Sequence, residues 1–292
     1  MSHEKKGELY MFTSAFLWSF FPIITVLTYH KVPSLIALGW DTFFSAIFFL
    51  VLVAVRNRWH EFNSRYFWKY MFGTSIIIGV LFYGFYFIGL SKTTPGNATI
   101  IALTEVLTSF IFFNIYKKEI FSKSHIFGAV LMILGALFVL VPGYSGAHLG
   151  DFLVLLATIV APLGNYFQRK ARTVASAESM MFARCIISVP FIFILAKVLG
   201  MHSVPGGVYS TLPYLILAGV AFFGLSKYLW IEAIHRISIT KASALASLTP
   251  LLTLLLAWLI LHQVPTVWQV ASLVPFIVGT LLLTNNLRIY LK

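Results

Sequence analysis

Residues 79–105 read GVLFYGFYFIGLSKTTPGNATIIALTE, and residues 219–250 read GVAFFGLSKYLWIEAIHRISITKASALASLTP. Laid over each other at an offset of about 144, Tyr86 falls on Trp230, Gly89 on Ala233, Ala98 on Ala242 and Ala102 on Ala246. Both stretches are long apolar runs interrupted by turn residues, so the chain reads as two copies of one helical unit. An internal repeat of this size fixes the architecture before any single residue is interpreted.

Moving outward, apolar runs long enough for about 20 residues of membrane helix occupy 9–29, 34–55, 67–90, 96–116, 125–142, 150–168, 178–199, 211–234, 241–262 and 266–286. Lys31-Val32-Pro33, Pro95-Gly96-Asn97, Pro142-Gly143-Tyr144 and Pro205-Gly206-Gly207 supply turn signals between them. The loops are short and leave no room for a soluble domain. Ten spans in two copies give five per copy, an odd number, so the second copy enters the bilayer from the opposite side. The expected fold is an all-α integral membrane protein of ten transmembrane helices. It divides into a first five-helix repeat over 1–146 and an inverted second repeat over 147–292, with a site near the bilayer midplane between them.

Composition agrees. Only 10% of residues are charged, 59% are apolar, and mean hydropathy is +0.90. Soluble domains carry about 25% charged residues, so this chain cannot cover a water-facing surface. Its net charge of +12 forms no compact patch, which argues against nucleic acid. Of the 21 Lys and Arg, Arg184 and Lys227 fall inside spans, and Lys31, Lys92 and Lys197 lie on one side. The other sixteen, from Lys5 and Lys6 through Arg56, Arg58, Lys118, Arg172, Arg236 and Lys241 to Arg288 and Lys292, lie on the other. That asymmetry places both termini in the cytoplasm, and the expected location is a bacterial inner membrane. The first apolar run lacks a small-x-small cleavage pattern and reads as a retained helix rather than a signal peptide. Cys185 is the single cysteine, which excludes an intramolecular disulfide.

Several short motifs, in order, carry a family resemblance. Phe16-Leu17-Trp18-Ser19 lies in the first span and Tyr116-Lys117-Lys118-Glu119 ends the fourth. Phe127-Gly128 and Leu134-Gly135-Ala136 lie in the fifth, Arg184 in the seventh, and Ala244-Leu245-Ala246-Ser247-Leu248-Thr249-Pro250 in the ninth. Over nearly its whole length the chain resembles the EamA-type members of the drug/metabolite transporter superfamily. Departures are Glu105 where the first repeat would have proline, Trp40-Asp41 where an arginine would stand, and His262-Gln263 in place of an acidic end to the ninth helix. The resemblance implies secondary transport of a small metabolite without naming the cargo.

Ionisable groups inside spans cost about 2.5–3.5 kcal/mol each on insertion scales, so each needs a partner or a wet cavity. Glu105 lies about 14 Å into its span at 1.5 Å per residue. It serves either as a contact for a cationic substrate group or proton, or as a partner of Arg184 or Lys227. Asp41 has the same two readings. Arg184 and Lys227 can hold a substrate carboxylate or neutralise the acids. Glu232, near His235 and Arg236, reads as a surface ion pair. Tyr83 and Tyr86, matched by the repeat to Lys227 and Trp230, together with Trp18, Asn165 and Tyr166, complete the candidate substrate-binding set; aromatic faces suit an ammonium group. Ala98/Ala102 and Ala242/Ala246 read as close-packing faces. No nucleotide loop, nucleophile elbow or paired metal spacing is present, so no cofactor or catalytic residue is expected.

The reading is a non-enzymatic secondary transporter of a small polar, amine-bearing metabolite: an amino acid, zwitterion or organic cation. Protons are a candidate coupling ion, the bilayer is the solvent, and the protein is a monomer or homodimer. The alternative is a non-catalytic membrane partner or a component of a lipid-carrier flippase.

Overall fold

The computed structural model describes residues 2–117, 123–140, 149–234, 236–237, 242 and 245–283. The described residues are helix, turn and connecting chain, with no strand among them. Lipid offers no partner for an unpaired backbone group, so helices that satisfy their own hydrogen bonds are the available solution.

Among the described residues, seven spans are long and apolar enough to cross a bilayer. They are α1 (His3–Thr28), α2 (Ser34–Val55), α3 (Arg65–Leu90), α4 (Pro95–Ala102 continued by Thr104–Lys117), α6 (Leu149–Arg172), α7 (Ala177–Val198) and α8 (Gly207–Leu217 continued to Ile234). Three shorter apolar helices complete the ten: α5 (Lys123–Leu140), α9 (Thr249–Leu261) and α10 (Val267–Leu283).

Sequence punctuation explains the starts. Thr94 caps α4 by accepting the Asn97 N–H at 3.1 Å, and Pro95 follows at the first helical position, where its missing N–H costs nothing. Gly206 turns the chain into α8 with φ +70°, a left-handed conformation that glycine adopts without strain.

The packing is two-fold in pattern. Helix α2 lies against α7, and α5 against α10. Other major contacts come as equivalent pairs: α1 with α8 and α6 with α3, α1 with α9 and α6 with α4, α2 with α8 and α7 with α3. In the α5–α10 pair a Cβ on Gly135 would meet Phe276 at 2.7 Å, and one on Gly279 would meet Met132 at 2.6 Å. At the offset of 144 these are the same contact made twice. Two inverted five-helix repeats therefore build one bundle, held by close packing at small residues.

The expected ninth span, 241–262, is continuous only from Thr249. Ser247 and Leu248 form a turn, and Pro250 sits in the first turn of α9, where proline starts a helix but cannot continue one. The fourth span breaks at the equivalent place, Leu103, leaving i→i−3 bonds from Leu103 to Ile100 (3.0 Å) and from Val106 to Leu103 (3.1 Å). Helix α3 contains a π-helical stretch at Ser75–Phe82, and α8 contains one at Ala218–Ser226, again at matching positions. Lys118-Glu119, Pro142-Gly143-Tyr144, the boundary at 146/147, His235, Lys241, Ala244, Arg288 and Lys292 lie outside the described residues.

Candidate functional site

The helix irregularities converge. Tyr83 and Tyr86 follow the π-stretch of α3, Lys227 follows that of α8, and Glu105 follows the break in α4. Interrupted helices at membrane depth are tolerated where they face protein or a wet space, and they mark ion and substrate sites.

Glu105 is half-buried and accepts a hydrogen bond from the Asn165 side-chain amide of α6 at 2.8 Å. Across from it, the Lys227 ammonium lies 3.4 Å from the ring centre of Trp18. Arg184, 5% exposed, stacks its guanidinium 5.7 Å from the centre of Tyr83. Glu105 and Lys227 lie within electrostatic range of one another, as do Arg184 and Lys227. No carboxylate stands within 4.0 Å of either base among the described residues.

A ring cluster ties these groups together. Phe223 touches Trp18 (5.7 Å between centres), Tyr83 (4.8 Å) and Phe21 (5.0 Å), and Phe21 reaches Tyr86 at 6.1 Å. Phe223 is the repeat equivalent of Gly79. A Cβ on Gly79 would collide with the Ser188 hydroxyl and come within 3.7 Å of the Arg184 side chain. The bare glycine therefore makes room for Ser188, one turn beyond Arg184 on α7, while its counterpart fills the centre. Hydroxyl bonds close the surrounding seams: Ser14 donates to the Ser226 carbonyl (2.8 Å), and Thr108 donates to the Thr158 carbonyl (2.6 Å).

Of the residues singled out by sequence, Trp18, Tyr83, Tyr86, Glu105, Asn165, Arg184 and Lys227 come together. Three stand apart. Asp41 is 1% exposed with neither carboxylate oxygen hydrogen-bonded among the described residues, and its electrostatic neighbour is Tyr29. Tyr166 packs against Phe167 and under Lys170. Trp230 is 40% exposed on the bundle surface. Phe21 and Phe223 escaped sequence reading; the signal for Phe223 was its match to a glycine.

Polar clusters cap the bundle at both ends. On the face where α1 begins, Arg56 pairs with the buried Glu178 at 3.2 Å and donates to the Tyr228 hydroxyl, while Arg236 pairs with Glu232 at 2.6 Å. Glu61 accepts the Ser176 backbone N–H at 2.7 Å. Burial alone would raise the Glu61 carboxyl, but that bond, the Ser176 and Ser179 hydroxyls and Arg58 hold it below the usual carboxylate range. On the opposite face Asp151 accepts from Thr93 and Asn97, and Gln269 donates to Asn97 at 2.6 Å. Each cluster spans both repeats. Ionic groups dominate the first and amides and hydroxyls the second.

Two inverted helical repeats around a buried, polar, charge-bearing centre define a membrane transporter. The EamA-like transporter family matches the chain over residues 5–141 and again over 148–285, and the protein belongs to that family, within the drug/metabolite transporter superfamily. Among its relatives are two proteins of Bacillus subtilis (strain 168), the uncharacterized transporters YyaM and YoaV. YyaM is 24% identical, covering 73% of each chain, and YoaV is 22% identical, covering 86% of this chain and 87% of its own. An uncharacterized transporter of Archaeoglobus fulgidus is 32% identical over 42% of this chain and 41% of its own. A solved crystal structure, 17% identical, superposes over 96% of both chains with a TM-score of 0.69 and shares the fold.

Proposed function

We propose that this protein is a secondary active transporter of a small polar, amine-bearing metabolite, moved by rocking of residues 1–146 against 147–292. Glu105 carries the reading. It is a half-buried carboxylate at the break of an interrupted membrane helix, held by one neutral amide and within electrostatic range of Lys227, with no ion pair between them among the described residues. In this reading it takes the substrate's ammonium group and is the group that exchanges a coupling proton. Trp18, Tyr83 and Tyr86 wall the site, and Arg184 and Lys227 balance its charge. The two polar caps open in turn, so that the centre faces one side of the membrane at a time. The excess of Lys and Arg on the face where α1 begins supports a cytoplasmic N-terminus in an inner membrane.

A thermal-shift screen of the purified protein against amino acids, amines and nucleotide-like metabolites, at acidic and neutral pH, tests this directly. Ligands that bind only the folded state raise the melting temperature by mass action. Amine-bearing compounds are expected to stabilise the wild type, and Glu105→Gln to remove the shift. Stabilisation by anions or apolar compounds alone, unchanged in Glu105→Gln, makes Glu105 structural and overturns the substrate class.

A further inference from the structure

The aromatic faces at the centre are already occupied. Lys227 holds its ammonium 3.4 Å from the Trp18 ring centre, and Arg184 lies over Tyr83 at 5.7 Å. These are the faces an incoming organic cation would need, and the protein's own cations cover them. The charge balance points the same way. Among the described residues the converging groups are one acid, Glu105, and two bases, Arg184 and Lys227, with Asp41 standing apart beside Tyr29. The two bases repel one another across the site. Arg184 is 5% exposed without a carboxylate inside ion-pair distance, although a guanidinium in the bilayer interior calls for one. Its planar fork matches a carboxylate with two parallel bonds, and a lysine ammonium adds a point charge beside it.

We infer that Arg184 and Lys227 are the specificity-determining residues of the site, that they read a carboxylate or comparable oxyanion on the substrate, and that compounds bearing only a positive charge are excluded. The inference rests on the transport reading and narrows it: an amine alone does not qualify, and an amine joined to an oxyanion does. In the substrate-free protein Lys227 occupies the Trp18 face as a tethered cation. When the oxyanion arrives, Lys227 turns from the ring towards it, while Glu105, steadied by Asn165, meets the opposite end of the molecule. Gly79 lets this seam close, because a side chain there would collide with Ser188, which lies one turn from Arg184 on α7.

Matched triples decide the matter. The proteinogenic amino acids are titrated against the full-length protein in detergent, each alongside its decarboxylated amine and its deaminated acid: leucine with isopentylamine and 4-methylpentanoate, for example. At least one amino acid is expected to bind about tenfold or more tightly than its amine, the ratio expected for loss of a charge-assisted bond. In Lys227→Met the oxyanion compounds weaken by about tenfold, whereas the amine gains affinity because the Trp18 face is freed. A merely structural lysine would not produce that crossing of preferences. If Arg184→Gln does not fold, Arg184→Lys keeps the charge and removes the fork, and is expected to weaken acids while sparing amines. Amines that bind the wild type as tightly as their amino acids, or acid affinity unchanged in Lys227→Met, overturn the inference and leave the transport reading standing. Binding by acids alone supports the inference and removes the amine from the proposed function. No binding by any member of the triples removes both.

Discussion

Helices α3 and α8 have the same backbone and opposite chemistry. Each runs α, then π, then α, with the π-stretches at Ser75–Phe82 and Ala218–Ser226. After the π-stretch α3 presents Tyr83 and α8 presents Lys227. Within it, α3 has Gly79 where α8 has Phe223. The equivalent positions in α2 and α7 differ in the same way: Trp40 packs against Phe44 and Phe193, whereas Arg184 lies over Tyr83. Symmetry builds the bundle and is what the proposed alternating access uses. Asymmetry at a few positions shapes the proposed site, because a two-fold site could not hold one acid and two bases.

The comparison can be broken at those positions. Phe223→Ala removes the ring that joins Trp18, Phe21 and Tyr83, and a buried phenylalanine truncation costs about 3–5 kcal/mol. A large fall in melting temperature is expected, with ligand binding lost as well. Lys227→Tyr, which makes α8 resemble α3, is expected to keep the fold but to weaken oxyanion ligands by roughly 10–100-fold, the equivalent of a charge-assisted bond of ~1.5–3 kcal/mol. A titration that shows unchanged affinity would mean the asymmetry is incidental. Gly79→Ala overpacks the seam against Ser188 and should cost about 1–3 kcal/mol, visible as a lower melting temperature. The same substitution at Gly84, where a Cβ finds only Leu35 at 3.8 Å, should be tolerated.

The smallest effect lies at the ionic cap. Glu61 is held below the usual carboxylate range by the Ser176 N–H and its neighbours. A lowered carboxyl contributes stability that is present above its unfolded value of about 4.3 and is lost as pH falls through the lowered folded value. Glu61→Gln should therefore destabilise the protein by less than about 1 kcal/mol at neutral pH, read as a small fall in melting temperature. The gap to wild type should close on acidification, and a gap that widens instead would contradict the assignment.

Much of this architecture is legible in the sequence. The repeat offset read from Tyr86 and Trp230 also relates the π-stretches, the breaks at Leu103 and Ser247, and the paired glycines Gly135 and Gly279. Pro250 announces the start of α9. The break at Leu103 carries no such sign, because Val106 stands opposite Pro250 at the offset of 144. The π-stretches contain no breaker residue and follow from packing. Side-chain direction is the weaker part: at 3.6 residues per turn a neighbour in sequence points about 100° away. Tyr166 therefore misses the cluster that the adjacent Asn165 joins. Trp230 turns outward while Lys227, three residues before it, points in. Phe21 and Phe223 were hidden among 28 phenylalanines, since apolar periodicity does not distinguish a site wall from a lipid-facing ring.

Counterflow in proteoliposomes measures exchange of an amine-bearing substrate through the protein and the part that Glu105 plays in it. Vesicles containing the protein are loaded with an unlabelled amino-acid mixture, and uptake of the labelled mixture is followed for wild type and Glu105→Gln. Uptake above that of empty vesicles is expected for wild type, with a loss of about tenfold or more in Glu105→Gln at unchanged protein content. Uptake no greater than in empty vesicles, or a Glu105→Gln variant as fast as wild type, would contradict the proposed function.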